Sequence, residues 1–154
     1  MAVGHKVSYV ALLNGETPSA GEVSFKGVYS GDNNNATSAC EGQVTVSKTS
    51  PSLSTNPSSF NIGAGGSVTD TATLSEATSN AGGTVTYQLW SDDTCGASGG
   101  SNVQTYTVTV TGGSVPSVSF TINTPGSYSI EASYSGDSNN KGATSGCEGP
   151  ITVT

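Results

Sequence analysis

The sequence predicts an all-β protein, a sandwich of short antiparallel strands, and three observations support this prediction. Helical periodicity is nearly absent, whereas apolar and polar residues alternate over several short stretches. Gly-Gly pairs and prolines separate these stretches, as turns between strands require. A long motif occurs twice, as VYSGDNNNATSACEGQVTV from Val28 and as SYSGDSNNKGATSGCEGPITV from Ser133. A repeat of this length is typical of small domains in tandem.

The two copies of the motif fix the period of the repeat. Tyr29 aligns with Tyr134, an offset of 105 residues, and after the insertion Lys141-Gly142 the offset between Cys40 and Cys147 becomes 107. This period is too long for a solenoid and suits domains of about 100 residues. The sequence therefore predicts one whole domain, preceded by the C-terminal portion of another.

Residues 1–47 are predicted to be that C-terminal portion, with strands at Val7–Leu13, Val23–Tyr29 and Gln43–Val46. Two or three strands without an opposing sheet leave an apolar face and open edges in water. Strands from another molecule would cover both. We therefore expect residues 1–47 to take part in assembly between copies by β-strand addition, with a mere remnant of the preceding domain as the alternative.

The complete domain is predicted over residues 48–154. Val46–Ser59 is polar and typical of a linker that leads into a first strand near Ser52, since Pro51 and Pro57 exclude a central strand. Alternation predicts the strands that follow. Their core-facing residues are Val68, Asp70, Ala72 and Leu74; Val85, Tyr87 and Leu89; Tyr106, Val108 and Val110; Val118, Phe120 and Ile122; and Tyr128, Ile130, Ala132 and Tyr134.

The charge of the chain excludes several classes of partner. It has four lysines, no arginine and eleven acidic residues, for a formal net charge of −7. Nucleic-acid binding needs a basic surface, and an anionic membrane repels an acidic chain. No apolar run approaches the roughly 20 residues of a membrane span. The acidity and the richness in Ser and Thr favour an extracellular or cell-surface location.

Residues that could carry chemistry are few. The only histidine, His5, lies outside any nucleophile motif, so the sequence predicts no enzyme and no cofactor. Asp137–Gly142 resembles the start of a calcium loop, with Asp137 and Asn139 as weak candidate ligands. Lys141 stands at a ligand position, however, and no glutamate follows at the required distance. No metal site is therefore expected.

Two side chains are predicted to have special structural roles. The sequence Gly-Ser-Tyr-Ser-Ile from Gly126 has the spacing of a tyrosine corner, in which the Tyr128 hydroxyl bonds upstream backbone; an ordinary core tyrosine is the alternative. Asp70 has core-facing parity, and bonding to nearby backbone is expected there rather than an isopeptide bond to lysine. Asn35 begins the only Asn-X-Ser/Thr sequon without proline at the middle position, a pattern that also arises by chance.

Four segments together resemble a tandem immunoglobulin-like repeat of long secreted or cell-surface proteins of archaea and bacteria. They are GGSVTDTATLS (Gly65–Ser75), AGGTVTYQLWSDDTC (Ala81–Cys95), PGSYSIEASYSGDSNN (Pro125–Asn140) and ATSGCEGPITV (Ala143–Val153). The resemblance implies an immunoglobulin-like Greek-key β-sandwich. In residues 1–47 it covers only the last strands, from about Ser19.

The chain has three cysteines, an odd number that leaves one without a partner in an oxidising extracellular setting. The residues alone leave the pairing open. The resemblance implies a disulfide between Cys95 and Cys147 in the complete domain, with Cys40 unpaired or intermolecular. Closing a loop of this length stabilises a domain by about 4 kcal/mol.

Composition and resemblance together predict a non-catalytic structural module of an extracellular repeat protein, such as a stalk, adhesin or filament. Its expected partners are other copies of the same protein or neighbouring repeats. The alternative is an adhesion domain whose end loops recognise an unidentified glycan or protein, for which exposed aromatic side chains would be needed. The single tryptophan, Trp90, lies at a strand end with polar parity, so its exposure distinguishes the two.

Overall fold

The structure is a computed structural model that describes residues 20–25 and 41–154. It divides into two units, residues 1–47 and residues 48–154. The described residues form strands and no helix, which confirms the all-β prediction, and none of their segments is a helix long enough to cross a membrane. The predictions outside the described residues concern His5, Val7–Leu13, Asn35 and Cys40.

The described part of the first unit is an antiparallel pair of strands, β1 (Gly21–Phe25) and β2 (Glu41–Val46). The predicted strand Val23–Tyr29 is thus found in part, beginning two residues earlier. The predicted strand Gln43–Val46 lies within β2. Residues 26–40, between the two strands, are outside the described part of the chain.

The second unit is a β-sandwich of two packed sheets. One sheet has three antiparallel strands in the order β3-β5-β8, and the other has the order β4-β11-β9-β6-β7 with β10 beside β9. β4 runs parallel to β11, and the other pairs are antiparallel. The strands are β3 (Ser52–Pro57), β4 (Asn61–Ile62), β5 (Gly66–Ser75), β6 (Thr84–Trp90), β7 (Asn102–Thr109), β8 (Val118–Ile122), β9 (Gly126–Tyr134), β10 (Ala143–Thr144) and β11 (Glu148–Val153).

The core lies between the two sheets, where alternate residues of each strand meet. Most of the residues predicted to face it are buried, including Tyr87, Leu89 and Phe120. Tyr106 has the predicted parity but is 43% exposed. The three-stranded sheet ends at β8, so the core-facing side of β7 is only partly covered. The alternation gives the correct face of β7 but not the extent of the opposite sheet.

The linker prediction is correct for the position of the first strand but too long. β3 is an edge strand that begins after Pro51 and ends at Pro57, in agreement with the exclusion of a central strand. Thr49, however, already forms a parallel bridge with Asn140. The second unit therefore begins before β3, because polar groups of a turn distant in the sequence bind the incoming segment.

The chain enters and leaves the second unit at opposite ends. β3 begins where β5 ends, with Ser52 opposite Ser75, and we call this the proximal end. β11 finishes at the other end of the same strands, where Ala64 N donates to Thr154 O at 2.7 Å. We call this the distal end. The points at which the chain enters and leaves the second unit therefore lie at opposite ends of the strand axis.

The pairing of β1 with β2 has the same register as that of β9 with β11. In the first unit Gly21 faces Val46, Val23 faces Val44 and Phe25 faces Glu41. The repeat offsets of 105 and 107 residues convert these into pairs that the second unit contains: Gly126 with Val153, Tyr128 with Ile151, and Ile130 with Glu148. Both ladders are irregular just before the last of these pairs.

Candidate functional site

The repeated motif forms a turn that closes the proximal end. Gly136 has a positive φ of 73°, and a Cβ there would lie 2.7 Å from Asn140 O. Asp137 Oδ1 accepts hydrogen bonds from Asn139 N at 2.7 Å and from Asn140 N at 2.8 Å. Its Oδ2 accepts from Gly82 N at 2.7 Å. The motif thus supplies both the glycine conformation and the side-chain acceptor that the turn requires.

Asn140 joins this turn to the segment that leads into β3. Its side chain is fully buried, and its Oδ1 accepts from Thr49 Oγ1 at 2.7 Å and from Thr78 N at 2.9 Å. Its Nδ2 donates to Thr78 Oγ1 at 2.8 Å and to the Asp137 carboxylate at 2.9 Å. Because both amide atoms are satisfied, the burial of Asn140 stabilises this end.

The incoming segment is bound through its backbone as well. Thr49 N donates to Asn139 O and Thr49 O accepts from Lys141 N, both at 2.9 Å. Lys48 Nζ donates to the carbonyl oxygen of Asp137 at 2.6 Å. We call Lys48, Thr49, Asp137 and Asn140 the proximal clamp. It fixes the chain at the point where it enters the sandwich.

The hydrogen bonds of Asp137 leave little capacity for a metal ion. Burial raises the pKa of its carboxyl, but hydrogen bonds from Gly82, Asn139 and Asn140 outweigh burial and hold the pKa well below its usual range. Both oxygens accept from N–H groups, which a cation would have to displace. No three Asp, Glu, His or Cys side chains of the described residues come together as metal ligands. Asp137, a weak candidate ligand in the sequence, is thus engaged in the turn.

A disulfide joins the loop after β6 to the segment before β11. The Cys95 and Cys147 sulfurs are 2.06 Å apart and the residues are 52 positions apart in the chain. This is the pair that the resemblance implies. Cys95 N also donates to Ser129 Oγ in β9 at 2.9 Å. The loop is therefore fixed to β9 and to the start of β11.

Asp92 organises the same loop from inside. Hydrogen bonds, the strongest from Gly96 N, lower the pKa of its carboxyl to about 2. Thr94 and Gly100 also donate to it. A Cβ on Gly100 would lie 2.3 Å from Asp92 Cγ, so only glycine fits there. The loop is thus wrapped closely around one carboxylate.

The loop after β6 packs on the ring of Trp90. A Cβ on Gly96 would lie 2.7 Å from Trp90 Cζ3, so the loop backbone lies against the indole ring. Trp90 is partly buried, and its buried Nε1 has no hydrogen-bond partner within the described residues. Its ring is therefore not freely presented at a loop end. Among the side chains that the structure describes, the large apolar ones that are exposed are Phe60, Val103 and Tyr106.

Tyr128 forms the contact that the tyrosine-corner hypothesis requires. Its hydroxyl donates to Thr124 O at 3.0 Å, at the crossing from β8 to β9. Its ring lies beside Gly126, where a Cβ would be 3.4 Å from Tyr128 Cε2. The contact joins the strand that leaves one sheet to the strand that enters the other.

The hydroxyl groups of two further tyrosines also bond backbone, although the sequence predicts only a core position for their rings. Tyr87 Oη accepts from Ala72 N at 3.1 Å and donates to Pro116 O at 2.9 Å. Tyr134 Oη donates to Gly82 O at 2.9 Å. Their core-facing parity predicts a buried ring, but not the loop that the hydroxyl reaches.

Asp70 is a fully buried carboxyl in the middle of β5. Its Oδ1 accepts from Asn56 N at 3.1 Å, whereas its Oδ2 and the buried Thr55 Oγ1 have no hydrogen-bond partner in the part of the chain that the structure describes. Burial raises the pKa of Asp70 to about 6. The described lysines, Lys48 and Lys141, belong to the proximal end, so neither is placed to form an isopeptide bond with it. Bonding to nearby backbone, the expected arrangement, is the one found.

A shallow cleft of about 210 Å³ lies at the distal end between β7 and β8. Its lining is polar and apolar without a carboxylate, histidine or lysine: Leu89, Val103, Gln104, Thr121, Ile122, Asn123, Thr124 and Tyr128. Such a surface can accept an apolar side chain but offers no acid and base pair for catalysis.

No family model matches the sequence, and no curated protein matches it. Among solved structures, the chain is similar to the sporulation control protein Spo0M of Bacillus subtilis, at 11% sequence identity and a TM-score of 0.47. The likeness covers 67% of this chain and 49% of that one. The chain thus spans about half the length of this distant neighbour.

Substitution Tyr128→Phe is expected to lower the free energy of unfolding by about 1–3 kcal/mol, because it leaves the Thr124 carbonyl without its hydrogen bond. Chemical denaturation measures the loss. Tyr106→Phe, at an exposed position, is the control. Equal denaturation midpoints for Tyr128→Phe and the parent would show that Tyr128 is only a core ring.

Substitution Asp70→Asn is expected to stabilise the protein by about 2 kcal/mol at pH 8, since folding raises the pKa of this carboxyl from about 4 to about 6. The folded state binds the Asp70 proton more tightly, so the cost of burying the charge is present above pH 6 and absent below pH 4. Urea denaturation between pH 4 and 8 tests this. A gain that does not shrink on acidification, or that Asp93→Asn matches, contradicts it.

Substitution Asn140→Ala is expected to release the proximal clamp and to cost about 2–4 kcal/mol, because Thr49 and Thr78 lose their buried partner. Hydrogen exchange of the Thr49 and Lys141 amides should accelerate more than exchange in β6. Ser138→Ala, at an exposed position of the same turn, should leave both unchanged. Uniform acceleration throughout the sandwich would argue against a local clamp.

Proposed function

We propose that the chain is a non-catalytic structural module of an extracellular repeat protein, such as a stalk, adhesin or filament. The observation that carries this proposal is the position of the entrance and exit of the second unit at opposite ends of the strand axis. Units of this kind joined in series extend along that axis. The proximal clamp holds the incoming segment, Lys48 and Thr49, against the sandwich.

The proposal includes the identity of the units as successive immunoglobulin-like repeats. The order β3-β5-β8 facing β11-β9-β6-β7 suits an immunoglobulin-like Greek key. The common register of the β1–β2 and β9–β11 pairs supports a first unit that is the C-terminal portion of such a repeat. The two lines of support are independent, since one concerns strand order and the other pairing.

Assembly through residues 1–47 is part of the same proposal. β1 and β2 are one antiparallel pair, and an isolated pair is marginal in water. Strands from a neighbouring repeat or another copy would complete the sheet, and Cys40 is the residue proposed for an intermolecular cross-link. The disulfide between Cys95 and Cys147 is compatible with an extracellular setting. A net charge of −7 favours solubility there.

Stretching the second unit between Lys48 and Thr154 in force spectroscopy tests its mechanical role. The disulfide spans 52 residues, so reduction should lengthen the unfolding step by about 180 Å at ~3.5 Å per residue. The oxidised unit should open at a resolved force peak, because tension shears the parallel β4–β11 pair. Extension without a force peak would contradict a structural module that resists tension.

A further inference from the structure

Three of the four open sheet edges of the second unit are short or protected. β4 has two residues, and β3 is bounded by prolines. β8 has five residues between Pro116 and Pro125. Gln104 Nε2 donates to Thr121 O in β8 at 2.7 Å, which covers part of that edge.

β7 has none of these protections. It has eight residues without proline or charge, and its irregularity lies only at its first pair, beside Trp90. Protein edges of this length usually carry a lysine, a proline or a bulge that prevents pairing with another chain. Among residues 20–25 and 41–154, no strand pairs with the outer side of β7, so this side presents an open row of backbone donors and acceptors.

Two apolar side chains of β7 are exposed. Val103 is 47% exposed and Tyr106 is 43% exposed. The Tyr106 ring packs on Phe120 at 5.3 Å between centroids, so it stands at the open side of the core. Val103 and Gln104 continue into the 210 Å³ cleft. The open strand edge and the exposed Val103 and Tyr106 side chains thus form one uncharged strip, which we call the β7 edge.

We propose that the β7 edge binds the β7 edge of a second copy of this chain, which joins the two larger sheets across a twofold axis. A second copy fits because β7 has no charge, so self-pairing puts no like charges opposite each other although the chain carries −7. Threonine, valine and tyrosine are also favourable cross-strand neighbours. A strand that pairs with its own copy in antiparallel orientation generates twofold symmetry.

The face of the sheet on which each β7 side chain lies determines where the twofold axis can be. Gln104, Tyr106 and Val108 face the core side of the sheet. In the joined sheet they share one face with their equivalents in the second copy only if even-numbered residues of one β7 pair with even-numbered residues of the other. An axis at Tyr106 brings the two Tyr106 rings together and places Gln104 opposite Val108 of the second copy. The exposed part of each ring is then covered by its equivalent.

This contact is lateral, along the side of the sandwich, whereas the proposed function concerns its two ends. It therefore does not depend on the end-to-end arrangement. Its failure would leave the stretching experiment unaffected.

The test is sedimentation equilibrium of the full chain in a Cys40→Ser background, with and without Thr105→Lys. The parent should show a concentration-dependent dimer, and Thr105→Lys should weaken it at least about tenfold by placing lysines beside the axis. Thr71→Lys, on the exposed face of the three-stranded sheet, makes the same charge change away from β7 and should leave the dimer unchanged. A monomeric parent at all concentrations, or a dimer indifferent to Thr105→Lys, overturns the proposal.

Cysteine cross-linking tests the position of the axis in the same background. Tyr106→Cys places two thiols opposite each other and should give a disulfide-linked dimer on mild oxidation. Thr71→Cys should stay monomeric. Cross-linking that is equal at both positions would indicate random collision and overturn the symmetric pairing.

Discussion

The hydroxyl groups of three buried tyrosines bond backbone outside the strands in which the tyrosines lie. Tyr87 lies in β6 and bonds both Ala72 in β5 and Pro116 before β8, so one ring connects the two sheets. At the two ends of β9, Tyr128 bonds Thr124 in the crossing from β8, and Tyr134 bonds Gly82 in the segment before β6. Only 32% of the residues are hydrophobic, and such rings supply buried area together with backbone hydrogen bonds. The positions of both sheets depend on these contacts.

The loops are held by a different chemistry from the sheets. A carboxylate stands inside each of two loops, Asp92 after β6 and Asp137 after β9, and backbone N–H groups surround it. Short polar turns of this kind need glycine at crowded positions, which accounts for Gly100 and Gly136. The apolar residues are thereby free to serve the core. This division of roles allows a stable sandwich to be built from a composition dominated by small polar residues.

The sequence permits a good prediction of whatever depends on local pattern. Alternation identifies the core faces of β5, β6, β8 and β9, and the prolines around β3 indicate an edge. It does not reveal β4, because two residues have no periodicity, nor the exposure of Tyr106, which depends on the width of the opposite sheet. The partners of Asn140 are equally hidden, since Thr49 and Thr78 lie far from it in the chain. Contacts of this range follow from topology rather than from spacing.

Three of the five aspartates, Asp70, Asp92 and Asp137, respond to acid in different ways. Asp92 and Asp137 have lowered pKa values, so their hydrogen bonds persist until the medium is more acidic than pH ~4, where unfolded aspartates take up protons. Asp70 takes up its proton near pH 6, which removes an electrostatic cost from the core. Mild acidification of the medium thus removes the cost of a buried charge from the core without breaking the hydrogen bonds of either loop. In such a medium both loops keep their hydrogen bonds while the buried carboxyl of Asp70 carries no charge.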